Sequence, residues 1–206
     1  MRGLLIAFEG IDGSGKHTQI ALLRRALAGR RVTVLRYPDM RGKFRVSIAR
    51  FLAGKVRLTP AQQFALFAQD IAKDKDRIAR LLSEGNTVML DRFIASTVAY
   101  QSAGGLGFSK ALVLARSLSL PEPDITILLD LPAKVALARK RRQKSARGRA
   151  LHAFEKSVAF QEKVRMAFRR LAREGFLSKK WLVVNAALPP GKIHEKIKAQ
   201  IYKLLK

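Results

Sequence analysis

The sequence predicts an α/β fold in which a parallel five-stranded sheet carries helices on both faces. Three observations support that expectation. Short apolar runs of strand length alternate with segments whose apolar residues recur at helical spacing. The first such run passes directly into a glycine-rich turn, as the buried strands of parallel sheets do. No internal repeat, linker or composition break divides the 206 residues, a length that suits one domain spanning 1–206.

Taken in order, residues 4–9 are the first buried strand. Residues 16–28 follow as a helix with Ile20, Leu23 and Leu27 on one face and Gly29 as its stop. Residues 32–35 form the second strand, which opens into the loop RYPDM. Thr59 caps a helix with Pro60 at its first position; that helix is expected to run unbroken to about Glu84, with Gly85 and Asn86 ending it. The third strand is 87–90, finishing at Asp91, and helices flank the loop 104–107. Pro121 and Pro123 break the chain before the strand 125–129. Next come a helix from 133 to about 142, a basic loop at 144–149, a helix from about 154 to 173 and a strand at 182–184. Pro189 and Pro190 open a last amphipathic helix with Ile193, Ile197 and Ile201 on one face.

Composition narrows the function. Apolar residues make up 48% of the chain and charged residues 27%, enough for a full core. No apolar run approaches the roughly 18 residues of a membrane span, so no membrane partner is expected. The opening MRGLLIAFEG reads as a strand rather than a signal peptide, which points to a cytoplasmic enzyme. Cysteine is absent, excluding disulfides and thiolate chemistry. The three histidines share no metal-ligand spacing. Forty-one Lys and Arg against 15 Asp and Glu give a net charge of +26. Such an excess attracts polyanions without regard to sequence, so nonspecific nucleic-acid affinity is expected. An enzyme for phosphate-rich substrates fits the same charge.

Residues 10–18 read GIDGSGKHT between a strand and a helix, and Gly10, Gly15 and Lys16 match the phosphate-binding P-loop. Glycines let successive backbone N–H groups turn toward phosphate oxygens, and the helix N-terminus adds a favourable dipole. ATP contacts are therefore assigned to Gly10, Ile11, Asp12, Gly13, Ser14, Gly15, Lys16, His17 and Thr18. His17 departs from the pattern, which places a Mg²⁺-ligating hydroxyl there; Thr18 lies about 100° further round the helix and does not take over that position. Either water fills the place and acidic residues hold the metal, or His17 changes metal preference.

Beyond that loop the chain resembles the thymidylate kinase family of P-loop nucleoside monophosphate kinases. The matching segments are FEGIDGSGK, RYPD at 36–39, LFAQD at 66–70, DRFIASTVAYQ at 91–101, PDITILLDLP, ALAR, FEK and FQEKVR. The resemblance implies a three-layer P-loop kinase fold with a mobile basic lid at about 140–153. It also implies a homodimer, and transfer of the γ-phosphoryl of ATP to dTMP with Mg²⁺. By position it places Asp91 on Mg²⁺, directly or through water, and Glu9 in an indirect metal role. Arg36 and Arg92 fall at the acceptor phosphate, Asp12 near the sugar 3′-hydroxyl, and Phe67 on the face of thymine. Thr97 falls at the base and Tyr100 near the sugar, with Gln101 beside it. The resemblance implies a further basic residue carried either in the phosphate loop or in the lid; with Gly13 and Ser14 in the loop it falls to the lid, where Arg139, Arg147 and Arg149 are the candidates. The departures are Ile71 and Met40 where the family has arginines (Arg41 follows Met40), and His152 and Ala153 before FEK. They leave open a related kinase acting on dUMP or a deoxynucleoside. A nucleic-acid-binding P-loop NTPase is the more distant reading.

Overall fold

The computed structural model describes residues 3–145 and 157–205. Strands β1 (Leu5–Glu9), β2 (Val32–Arg36), β3 (Thr87–Asp91), β4 (Ile125–Asp130) and β5 (Trp181–Asn185) form one parallel sheet in the order β2-β3-β1-β4-β5. The helices around it are α1 (Lys16–Ala26), α2 (Arg45–Leu52), α3 (Pro60–Ala72), α4 (Lys75–Ser83), α5 (Ile94–Gln101), α6 (Phe108–Arg116), α7 (Ala133–Ser145), α8 (Val158–Arg173) and α9 (Pro190–Leu204). The expected α/β class and all five expected strands are present.

The three central strands are mostly apolar and almost wholly buried, with Glu9, Asp91 and Asp130 at their carboxyl ends, whereas β2 and β5 at the edges stay half-open. Each fully buried Leu, Ile or Val contributes roughly 1.5–3 kcal/mol, so the sheet is held hardest at its centre. The register puts Asp91 opposite both Phe8 and Arg36. Glu9, Asp91 and Arg36 therefore emerge together at the carboxyl edge of the sheet, where ligands bind in open α/β folds.

The helix expected to run from Pro60 to Glu84 is two helices. Thr59 is the expected N-cap, and Gln62 completes a capping box with it. The break falls at Lys73 and Asp74. Lys73 Nζ sits 3.2 Å from Asp39, 3.1 Å from Asp70 and 2.9 Å from Asp74, and the Tyr37 hydroxyl donates to Asp74 at 3.1 Å. This hub pins the loop after β2 to the α3–α4 junction, which is why the chain bends there. Helix α2 lies in what the sequence reading leaves as loop; its buried Ile48 and Phe51 pack it down. The loop expected at 104–107 tightens into a π-helical turn over Ser102–Leu106.

Candidate active site

Between β1 and α1 the chain turns through Gly10 and Gly13, which take φ of 135° and 85°, where side chains are strained. Space forbids a side chain as well. A Cβ on Gly13 would stand 2.4 Å from the Ala136 carbonyl oxygen of α7, and one on Gly10 would stand 2.7 Å from Leu129 O. The loop is thus pressed against the end of β4 and the first turns of α7, and a basic side chain at position 13 is sterically excluded. Helix α1 starts from Gly15 without a side-chain cap or an acidic first turn, so its leading N–H groups present a positive end. Lys16 is buried and lies back over the loop, donating to Gly10 O at 2.9 Å and Ile11 O at 3.1 Å. Burial and the nearby Arg92 charge lower its pKa, against the pull of Asp12, Asp91 and Glu9.

Arg92 joins this loop to β3. It is a bulky residue held at φ 69°, a conformation costing about 1–3 kcal/mol that the surroundings must impose. The surroundings do so. Nη1 donates to Gly10 O at 3.1 Å and Ser96 Oγ at 2.9 Å, and Nη2 donates to Asp12 at 2.9 Å and to the Tyr100 hydroxyl at 3.3 Å. The guanidinium also lies 5.1 Å from the Tyr100 ring centroid. Burial raises the Asp12 pKa, but Arg92, Lys16 and Lys140 outweigh it and hold the carboxyl below the usual range.

Glu9, fully buried, caps α5: its carboxylate accepts from Phe93 N at 2.8 Å and Ser96 N at 3.2 Å, and the Ser96 hydroxyl donates to its other oxygen. Burial pushes this carboxyl up to about 7, against the lowering effect of Ser96, Arg92, Phe93 and Lys16. At the neighbouring strand end, Arg36 Nε pairs with Asp91 at 3.2 Å and Arg36 Nη2 meets His17 Nδ1 at 3.1 Å. Thr18 is exposed on the next position of α1.

A cleft of about 220 Å³ opens beside Arg92. Phe67, Ile71 and Thr97 line it with Tyr100, Gln101 and Asp12, and Tyr37 and Pro38 close one side. Phe51 meets Phe67 edge-on, with ring centroids 6.0 Å apart.

A family model described as thymidylate kinase matches residues 8–197. The chain belongs to the thymidylate kinase family. It is 36% identical over 207 residues to the thymidylate kinase of Thermomicrobium roseum, across 98% of this chain and 95% of that protein. It is 35% identical to the probable thymidylate kinases of Archaeoglobus fulgidus and Pyrococcus abyssi, each match covering 98% of this chain; the shares of those proteins covered are 96% and 97%.

Against the pattern of thymidylate kinases, Ile71 is buried in the cleft wall and Met40 is exposed. Of the residues expected at the site, the structure gathers Glu9 to Thr18, Arg36, Phe67, Asp91, Arg92, Thr97, Tyr100 and Gln101 at one end of the sheet. Arg139 is set apart, donating to Ala186 O at 2.9 Å, while the adjacent Lys140 stands 3.9 Å from Asp12. Arg147, Arg149, His152 and Ala153 lie outside the described residues. Sequence reasoning missed Ser96, which links Glu9 to Arg92, and Lys73, which pins the loop closing the cleft. The spacing of four between Arg92 and Ser96 was the available signal for the first. For Lys73 the adjacent Asp70 and Asp74 were legible, but Asp39, which ties it to the loop after β2, arrives only on folding.

Proposed function

We propose that the chain transfers the γ-phosphoryl group of ATP to dTMP, giving dTDP and ADP. The observation that carries this reading is Arg92, one guanidinium tied both to the phosphate loop at Gly10 O and to the cleft at Tyr100 and Asp12. A group so placed joins a donor site to an acceptor site. In this reading residues 10–18 wrap the ATP phosphates, and Lys16 leaves the loop carbonyls for the β- and γ-phosphates. Arg92 and Arg36 fork onto the acceptor phosphate. Phe67 stacks on the base, Thr97 and Gln101 contact it, and Asp12 and Tyr100 hold the sugar.

An oxygen of the acceptor monophosphate attacks the γ-phosphorus while the bond to the β-phosphate oxygen breaks. With a second pKa near 6, that oxygen is already ionised at neutral pH, so the chemistry needs placement and charge rather than a base. Mg²⁺ fits the residues present. Among the described residues no group of three or more His, Cys, Asp or Glu side chains could hold a metal. A lone carboxylate suits a hard cation that takes its other ligands from water and nucleotide phosphates. Asp91 would hold it and Glu9 would act only through α5; bound there, it would neutralise developing phosphate charge.

The proposal includes one domain spanning 1–206, with a lid at about 140–153 whose Arg147 and Arg149 act on the transferring group. A cytoplasmic homodimer formed through helices completes it. Val113 on α6 and Met166 on α8, both exposed, support that contact, and sedimentation would measure it. Among the described residues no helix is long and apolar enough to cross a membrane. The +26 charge supports nonspecific DNA affinity, which a salt titration would reveal as a steep loss of binding.

The deciding assay is an acceptor panel with ATP and Mg²⁺: dTMP should react faster than dCMP, dGMP or dAMP, and equal rates or none would remove the assignment. Ile71, an apolar wall where the family has an arginine, favours relaxed base reading, so dUMP and thymidine belong in the panel.

A further inference from the structure

The residue after Lys16 is an imidazole where the phosphate-loop pattern has a hydroxyl, and its contacts point away from a metal role. Nη2 of Arg36 lies 3.1 Å from His17 Nδ1, and Nε of the same guanidinium lies 3.2 Å from Asp91 Oδ2. A guanidinium only donates, so Nδ1 of His17 accepts and the ring carries its proton on Nε2. The contact joins three elements: His17 lies in the first turn of α1, Arg36 ends β2 and Asp91 ends β3.

We propose that His17 is a positioning residue for Arg36, holding its guanidinium beside the cleft so that the remaining N–H groups meet the phosphate of the acceptor nucleotide. This rests on the acceptor reading of Arg36 given above. The Arg36 side chain is 56% exposed, and a long exposed side chain tethered at one point keeps much of its rotamer freedom. Contacts at two different nitrogens fix the plane of the guanidinium as well as its place. One is a hydrogen bond and the other an ion pair, and N–H groups of the guanidinium remain for phosphate oxygens. Reach explains the residue type. The acceptor atom of serine is one bond from Cβ and Nδ1 of histidine is two, so the hydroxyl of the usual pattern would stop short of Arg36. Asparagine puts Oδ1 at the same two-bond distance.

Calorimetric titration of dTMP and of thymidine, without ATP or metal, tests this on the wild type and on H17A, H17N and R36A. His17→Ala should weaken dTMP binding about 3- to 10-fold and leave thymidine unchanged, the size of one ordinary hydrogen bond lost at a half-exposed side chain. His17→Asn should stay within about twofold of wild type. Arg36→Ala should weaken dTMP at least as much as His17→Ala, and H17A added to R36A should cost nothing more. In turnover, H17A should raise the acceptor KM by a larger factor than the ATP KM. If Arg36→Ala leaves dTMP affinity unchanged, the acceptor reading of Arg36 falls and this inference with it. If R36A weakens dTMP but H17A does not, or H17A weakens dTMP and thymidine alike, only the role given to His17 is overturned.

Discussion

Replacing Arg92 separates what its contacts contribute from what its backbone costs. Truncation to alanine removes donors from Gly10 O, Ser96, Asp12 and Tyr100 at once. Breaking a buried charge pair costs about 3–5 kcal/mol. Here the Asp12 side chain is 30% exposed and keeps Lys140 at 3.9 Å, which brings the expected loss down to about 2–3 kcal/mol. Alanine still carries the strain of φ 69°; glycine does not. Relief of about 1–2 kcal/mol, less the greater unfolded-chain entropy of glycine, leaves Arg92→Gly about 1 kcal/mol more stable than Arg92→Ala. For a chain of this size, thermal unfolding followed by circular dichroism should show the alanine variant melting about 5–10 °C below wild type. The glycine variant should recover about 2–4 °C of that, with phosphoryl transfer lost in both. Equal melting points, or a glycine variant that melts lower, would refute the strain argument. A wild-type rate in either variant would refute the link between the two sites.

The remaining expectations concern the loop and its supports. Glu9 has a folded pKa raised from 4.5 to about 7, so its contribution is present at low pH and is lost as pH rises through that window; at about 1.4 kcal/mol per pH unit this amounts to about 3 kcal/mol. Urea unfolding of Glu9→Gln should therefore lose less stability than wild type between pH 5 and 8, and parallel curves would count against a neutral Glu9. Gly13→Ala drives a Cβ to 2.4 Å from Ala136 O at a left-handed φ, so a stability loss of about 1–3 kcal/mol and a displaced α7 are expected; a fully active, equally stable variant would contradict that packing. Lys73→Met leaves Asp39, Asp70 and Asp74 facing one another and should cost about 3–5 kcal/mol at pH 7. That penalty should shrink toward pH 4 as the carboxylates take up protons, and a penalty independent of pH would show that the ammonium is not their counter-charge.

Much of this was legible in the order of residues, because the signals are local. Strand identity follows from apolar runs such as LIAFE and ITILLD, and the phosphate loop follows from glycines and a lysine at fixed spacing between a strand and a helix. Arg92, Phe93, Thr97, Tyr100 and Gln101 line one cleft because one continuous segment, the end of β3 and α5, carries them all. Folding alone decided the rest. At Lys73 a helix that propensity would continue is broken, where Asp39 from the loop after β2 joins the neighbouring Asp70 and Asp74 on one ammonium. Gly13 must be glycine because α7, more than a hundred residues later, lays a carbonyl against it. His17 gains its partner only when β2 and β3 pair in register and bring Arg36 and Asp91 to the start of α1. Spacing along the chain encodes contacts within one element; contacts between elements depend on sheet order and register, which become visible only once the core has closed.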